Sequence, residues 1–85
     1  MNPTKKALCG DMGVRAAELL LKGDKLISVQ LREMGLSHNL FINWNNGECA
    51  PSAWVLRCMA LKGYDVMYIL TGKRSKEVRH GNQML

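Results

Sequence analysis

The placement of the glycines is the feature that most constrains how this chain can fold. Eight glycines divide it into segments filled mainly with Leu, Ala, Met, Lys, Arg and Glu, which are good helix formers. No β-branched alternation lasts four residues, as a half-buried strand would require. The sequence therefore predicts an all-α protein, a compact bundle of about five short helices separated by glycine-containing turns. The glycines are Gly10, Gly13, Gly23, Gly35, Gly47, Gly63, Gly72 and Gly81.

The spacing of apolar residues between the glycines predicts where the helices lie, because a helix buries residues three or four positions apart. The predicted helices cover residues 13–22, 25–34, 38–44, 51–62 and 66–71. Asp24, Ser37 and Asp65 precede three of them as N-cap candidates. Gly35 and Gly72 are expected to end the second and fifth helices, Gly35 in the left-handed conformation.

The same spacing predicts which side chains form the core. Those on the first, third and fourth helices are Val14, Ala17, Leu20, Leu21, Leu40, Phe41, Trp44, Val55, Cys58 and Met59, with Leu61 as a further candidate. On the second helix Leu26 or Ile27, Leu31 and Met34 share one side. Most of the larger residues near the end are also expected there, namely Trp54, Met67, Tyr68 and Ile69. A domain of 85 residues buries only part of its surface, so some of these are open to a partner.

The charge balance indicates an acidic partner. Twelve Lys and Arg against seven Asp and Glu give a net charge of +5, which favours nucleic acid or an anionic membrane surface. No apolar run approaches the ~20 residues of a transmembrane helix, and no signal peptide is recognisable. No segment combines a basic face with a bulky apolar one, so membrane binding is disfavoured. Nucleic acid is the favoured partner.

The cysteines and histidines offer little chemistry. Cys9, Cys49 and Cys58 are odd in number and widely spaced, which argues against a disulfide framework or a zinc site and favours a reducing cytoplasm. His38 and His80 stand apart from any nucleophile or paired acid, and no Gly-rich phosphate loop is present. We therefore expect no enzyme activity, no metal and no cofactor.

The segment from Ile27 to Gly47 has the pattern of a helix-turn-helix. Counting from Ile27, Gly35 is ninth, Leu36 tenth, Phe41 fifteenth and Trp44 eighteenth. A glycine there reverses the chain tightly, and the three apolar positions hold the second helix against the first. The outer side of the second helix is then free to enter a major groove.

Three pieces of sequence stand in the order and spacing of a known family: residues 31–37 (LREMGLS), residues 44–47 (WNNG) with Pro51 and Ser52 following, and residues 63–72 (GYDVMYILTG). Over about residues 14–74 the chain resembles the phage-repressor-like (XRE, or lambda-repressor-like) helix-turn-helix family. The resemblance implies a DNA-binding domain over residues 1–74, followed by a basic tail, 75–85, that is flexible or partner-dependent. The chain departs from the family at Gln30 and Leu31, where an apolar residue and then alanine are usual.

The resemblance implies that the exposed face of the third helix contacts base edges. The chemistry agrees, because Asn forms a bidentate pair with adenine and Ile42 can meet a thymine methyl group. The candidate base contacts are Ser37, His38, Asn39, Ile42 and Asn43.

Phosphate contacts are expected on both sides of that face. The candidates are Lys25, Ser28, Gln30, Asn45 and Asn46. Asn46 is alternatively, or in addition, a turn residue with positive φ. Because related domains commonly pair through their last helices, the resemblance also implies a homodimer, with Tyr64, Met67 and Tyr68 as interface candidates.

These expectations converge on a transcriptional regulator that binds double-stranded DNA. A phage or prophage-type repressor acting as a homodimer on a palindromic operator fits best. The alternative is a protein-interaction module with the same fold, such as a toxin-neutralising antitoxin or a phage modulator. In that case the segment 73–85 would be expected to fold against the protein partner.

Overall fold

The computed structural model describes residues 3–74, and this part of the chain consists of five α-helices and no strand. In chain order these are α1 (Pro3–Leu21), α2 (Ile27–Met34), α3 (His38–Asn45), α4 (Ala53–Leu61) and α5 (Val66–Thr71). The predicted all-α class and the number of helices are therefore confirmed. The tail predicted for residues 75–85 lies outside the described residues.

The first helix is much longer than predicted: it begins ten residues before Gly13, its predicted first residue, and Gly10 lies inside it. A Cβ atom on Gly13 would lie 2.1 Å from the carbonyl oxygen of Cys49 and 3.2 Å from the Cα of Trp44. On Gly10 it would lie 2.8 Å from the carbonyl oxygen of Gly47. Each glycine inside a helix lowers its stability by roughly 1 kcal/mol relative to alanine. The close packing of α1 against the end of α3 requires glycine at both positions and offsets this cost.

All five helices contribute to one core, in which α1 packs mainly against α3 and α5. The buried apolar residues are Ala16, Ala17, Leu20, Leu31, Met34, Phe41, Trp44, Val55, Met59 and Ile69. The indole N–H of Trp44 lies in this core without a hydrogen-bond partner among the described residues.

Five residues named for the core are instead open to solvent, and one of them, Leu61, is 76% exposed. Val14 and Leu21 are exposed because α1 turns Gly13, Ala16, Ala17 and Leu20 inward, a face rotated from the predicted one. Trp54 is 58% exposed and Met67 45% exposed, since Val55 and Met59 form the inner row of α4 and Ile69 that of α5. Cys58 and Tyr68 are half-buried.

The predicted helix ends are mostly correct. Gly35 and Gly72 close α2 and α5 with φ of 70° and 80°, and the Asp65 carboxylate accepts from the amide of Tyr68. Asp24 does not cap α2, which begins at Ile27 after Leu26. The carbonyl of Lys25, which an earlier start would use within the helix, instead accepts a hydrogen bond from the side chain of Gln30.

Candidate nucleic-acid interface

A three-residue connection sets the angle between α2 and α3. Gly35 adopts the left-handed conformation, and the amide of Leu36 donates to the carbonyl of Leu31 at 2.9 Å. The Oγ of Ser37 then accepts from the amide of Leu40 at 3.3 Å and begins α3. These hydrogen bonds satisfy backbone groups at both helix ends, so the turn has a defined geometry.

The two sides of α3 differ sharply. Phe41 and Trp44 are buried, and the backbone of Trp44 lies against Gly13 of α1. The opposite side faces solvent, as the sequence predicted for His38, Asn39 and Asn43. α3 is therefore packed into the core on one side, while its outer face is exposed.

All five candidate base-contact residues lie together on or next to this outer face: Ser37, His38, Asn39, Ile42 and Asn43 are exposed. His38 and Ile42, like Asn39 and Asn43, are one helical turn apart and form two adjacent rows. The ring of His38 meets the edge of Phe41, with 6.1 Å between ring centroids. The Ser37 hydroxyl accepts the capping hydrogen bond and can still donate its own proton outward.

Four of the candidate phosphate contacts are exposed near the ends of α2 and α3: Lys25, Ser28, Asn45 and Asn46. Asn46 has a helical φ of −84°, and Gly47 takes the positive φ in its place, so a positive φ at Asn46 was a wrong prediction. Asn46 still lies in the turn after α3, and its side chain is exposed.

Lys25 is engaged within the protein. Its ammonium lies 2.9 Å from the carboxylate of Glu33 on α2. This hydrogen bond raises the pKa of Lys25 and lowers the pKa of Glu33. A phosphate would have to compete with Glu33 for this cation.

Gln30 is not available for a phosphate contact, which corrects the prediction made for it. The side chain is 3% exposed, and its Nε2 donates to the carbonyl of Leu20 at 2.8 Å and to that of Lys25 at 2.7 Å. Its Oε1 accepts from the hydroxyl of Tyr64.

The predicted interface residues on and before α5 are partly occupied within the fold. Tyr64 binds Gln30, and burial raises the pKa of the Tyr64 hydroxyl. The Tyr68 hydroxyl donates to Glu18 on α1 at 2.6 Å, and the guanidinium of Arg74 lies 3.9 Å from the centroid of the Tyr68 ring. Met67 is the predicted residue whose side chain remains largely open.

The sequence did not predict the exposure of Leu70 or Trp54 near the last two helices. Leu70 is 45% exposed and lies three residues after Met67, on the same side of α5. Trp54, assigned to the core from its type, projects from the first turn of α4. Helical spacing alone links Met67 to Leu70, but their exposure depends on how α5 packs against α1.

Within residues 3–74 no group of three or more His, Cys, Asp or Glu side chains is arranged to hold a metal ion. None of the helices described combines the length and hydrophobicity needed to cross a bilayer. Comparison with protein-family models, curated proteins and solved structures gives no match to this chain.

Proposed function

We propose that this protein binds double-stranded DNA in a sequence-specific way, reading bases with the outer face of α3, as a lambda-repressor-like helix-turn-helix domain would. The observation that carries this proposal is that α3 exposes an uncharged polar surface while its opposite side is anchored by buried aromatic residues. Phe41 and Trp44 fix the helix, while the side chains of Asn39 and Asn43 face outward. A helix held in this way fits the width of the major groove.

The residue types support base reading over simple solvation. Asn lowers helix stability relative to Ala or Glu, so a helix that faced only water would gain by replacing it. Two Asn residues one turn apart present amide donors and acceptors in the pattern that pairs with adenine. Ile42 lies in the row beside them and is 45% exposed, in position to meet a thymine methyl group.

Transcriptional regulation follows as the proposed role, with repression by occupying a promoter as a phage-type repressor does. This mechanism needs no cofactor. A single α3 of eight residues reads few base pairs, so we infer that two copies bind the two halves of a palindromic operator. The exposed pair Met67 and Leu70 on α5 is the surface we assign to pairing, in place of Tyr64 and Tyr68.

A second candidate function is favoured by one feature of α4. Trp54, Arg57 and Leu61 are exposed at spacings of three and four residues, and Trp and Arg dominate protein-binding hot spots. A protein-interaction module would depend on this face. The sequence also predicted that such a module would use the segment 73–85 to bind its partner, and most of that segment lies outside the described residues.

The deciding experiment is selection of bound duplexes from a random DNA pool, followed by affinity measurements on the selected sequence. Asn39→Ala and Asn43→Ala should each cost about 1–3 kcal/mol and relax the preference at a base position. Trp54→Ala with Leu61→Ala, the control on α4, should leave the selected sequence unchanged. Failure to enrich any sequence, or unchanged binding by both Asn variants, would refute DNA reading by α3.

A further inference from the structure

The surface assigned to base reading lacks the charge that DNA binding requires. Residues 37–46 contain no Lys, Arg, Asp or Glu. Contacts with phosphates supply much of the affinity of DNA-binding proteins and fix their register on the duplex. Lys25, the cation predicted for this role, lies in an ion pair with Glu33. Other cations close to α3 are therefore needed.

The unexpected length of α1 brings two such cations near the end of α3. Gly10 lies against the carbonyl of Gly47, directly after the exposed Asn45 and Asn46. Lys6 is one helical turn before Gly10 on the same side of α1, and Lys5 is its neighbour. Because α1 runs on from Gly10 toward its N-terminus, the two lysines lie beyond the C-terminal end of α3.

Both lysines are free to bind. Lys5 and Lys6 are exposed, and neither takes part in any of the three ion pairs found within residues 3–74. The path of α1 toward them is set by Gly10 and Gly13, which pack the helix against the backbone at residues 44, 47 and 49.

We propose that Lys5 and Lys6 form a phosphate-contact site on α1, which binds the backbone of the duplex flanking the bases read by α3. The ligand is the phosphodiester backbone of double-stranded DNA, and the contact is independent of sequence. This inference rests on the proposed function and assigns to α1 a part of the binding surface that the helix-turn-helix segment does not contain.

The test uses the full chain and a duplex obtained by the selection described above. Binding of Lys5→Ala/Lys6→Ala is measured between about 50 and 200 mM salt, on the selected duplex and on an unrelated one. The logarithmic salt slope should become less steep by about 1.8, which is 0.9 for each of two lost phosphate contacts. Affinity should fall by the same factor on both duplexes, so the discrimination ratio stays constant.

Arg57→Ala/Lys62→Ala is the matched control, since it removes one exposed cation from α4 and one from its C-terminal cap and changes the net charge equally. It should leave the salt slope unchanged. Shortening the duplex so that the flanking phosphates are absent should abolish the difference between the wild-type protein and the α1 variant. Circular dichroism verifies that both variants keep their helices.

An unchanged slope in the α1 variant, with specific binding intact, overturns this inference and leaves the proposed function standing. An equal loss of slope in the α4 control also overturns it, because the effect would then follow net charge alone. If the wild-type chain selects no sequence, the proposed function itself fails, and the phosphate site fails with it.

Discussion

The hydroxyl of Tyr64 donates a hydrogen bond to the side-chain oxygen of Gln30, linking the loop after α4 to the middle of α2. The amide of Gln30 uses both of its protons on the carbonyls of Leu20 and Lys25. One buried side chain thus joins the end of α1, the start of α2 and the loop before α5. Each polar group in this network is paired, which is the condition under which a buried amide does not destabilise a small core.

Removing the Gln30 amide should destabilise the protein without changing the salt dependence of its DNA binding. Gln30→Met keeps the volume but leaves buried carbonyls and the Tyr64 hydroxyl unpaired, so the free energy of unfolding should fall by about 2–3 kcal/mol. Tyr64→Phe should cost about 1 kcal/mol. In urea unfolding the double variant should lose less than the sum of the two, by about 0.5–1.5 kcal/mol. Strict additivity, or a weaker salt dependence of DNA binding in Gln30→Met, would contradict this account.

Gly13→Ala should lower stability even though alanine is the better helix former. The gain in helix propensity is about 1 kcal/mol, whereas the new methyl group would lie 2.1 Å from the Cys49 carbonyl oxygen and force the backbone apart. We expect a net loss of about 1–3 kcal/mol in urea unfolding. Asp11→Ala, an exposed site on the same helix, should stay within about 0.5 kcal/mol of wild type. A Gly13→Ala variant more stable than wild type would exclude this close packing.

Glu18 makes the fold sensitive to acid. The hydrogen bond from Lys22, followed by that from Tyr68, holds the pKa of Glu18 below its ordinary value of 4.5. Since the folded-state pKa is the lower one, the carboxylate stabilises the fold above pH 4.5, and this contribution is lost as the pH falls through the folded-state pKa. Urea midpoints measured from neutral pH downward should fall less for Glu18→Gln than for wild type. Parallel pH profiles for the two proteins would count against a stabilising role for this carboxylate.

Glu33 should restrain the contribution of Lys25 to DNA binding. Because the two side chains are paired at 2.9 Å, Glu33→Gln releases the ammonium and should strengthen binding to every duplex alike. The salt slope should then become steeper by up to about 0.9, the value for one added phosphate contact. Glu18→Gln gives the same change in net charge at a different place and serves as the control. Equal effects of the two variants would show that net charge alone matters.

Pairing through α5 should depend on Met67 and Leu70. Each side chain is 45% exposed, so replacing both with Glu introduces charge on the assigned interface while most of the core stays unchanged. Sedimentation should show a dimer for wild type and a monomer for Met67→Glu/Leu70→Glu, with retained helicity by circular dichroism. Tyr68→Phe, which alters a residue bound to Glu18, should remain dimeric. A wild-type monomer at high concentration, both free and on DNA, would exclude the dimer.

Much of the local structure could be predicted from the sequence because local interactions decide it. Ser37 and Asp65 accept hydrogen bonds from amides three residues later, and Gly35 and Gly72 adopt a backbone conformation that side chains resist. The outward direction of Asn39 and Asn43 follows from their spacing relative to Phe41 and Trp44. These features need only a few neighbouring residues.

Other features depend on contacts between distant segments. Glycine disfavours a helix by propensity, yet Gly10 and Gly13 both lie inside α1. α3 and the following loop approach them too closely for a side chain, so only glycine allows this packing. Gln30 resembles a surface residue until Leu20, Lys25 and Tyr64 surround its amide. Propensity amounts to about 1 kcal/mol per residue, and a buried contact or hydrogen-bond network outweighs it.

The sequence by itself determined the helical class, most of the helix ends and the exposed polar row on α3. The tertiary structure alone decided the length of α1, the burial of Gln30 and the exposure of Trp54, Met67 and Leu70. The physical reason is the range of the interactions: caps and turns act over three or four residues, whereas burial depends on which helices pack together. The two lysines at the start of α1 belong to the second kind, since only packing against Gly47 brings them close to the end of α3.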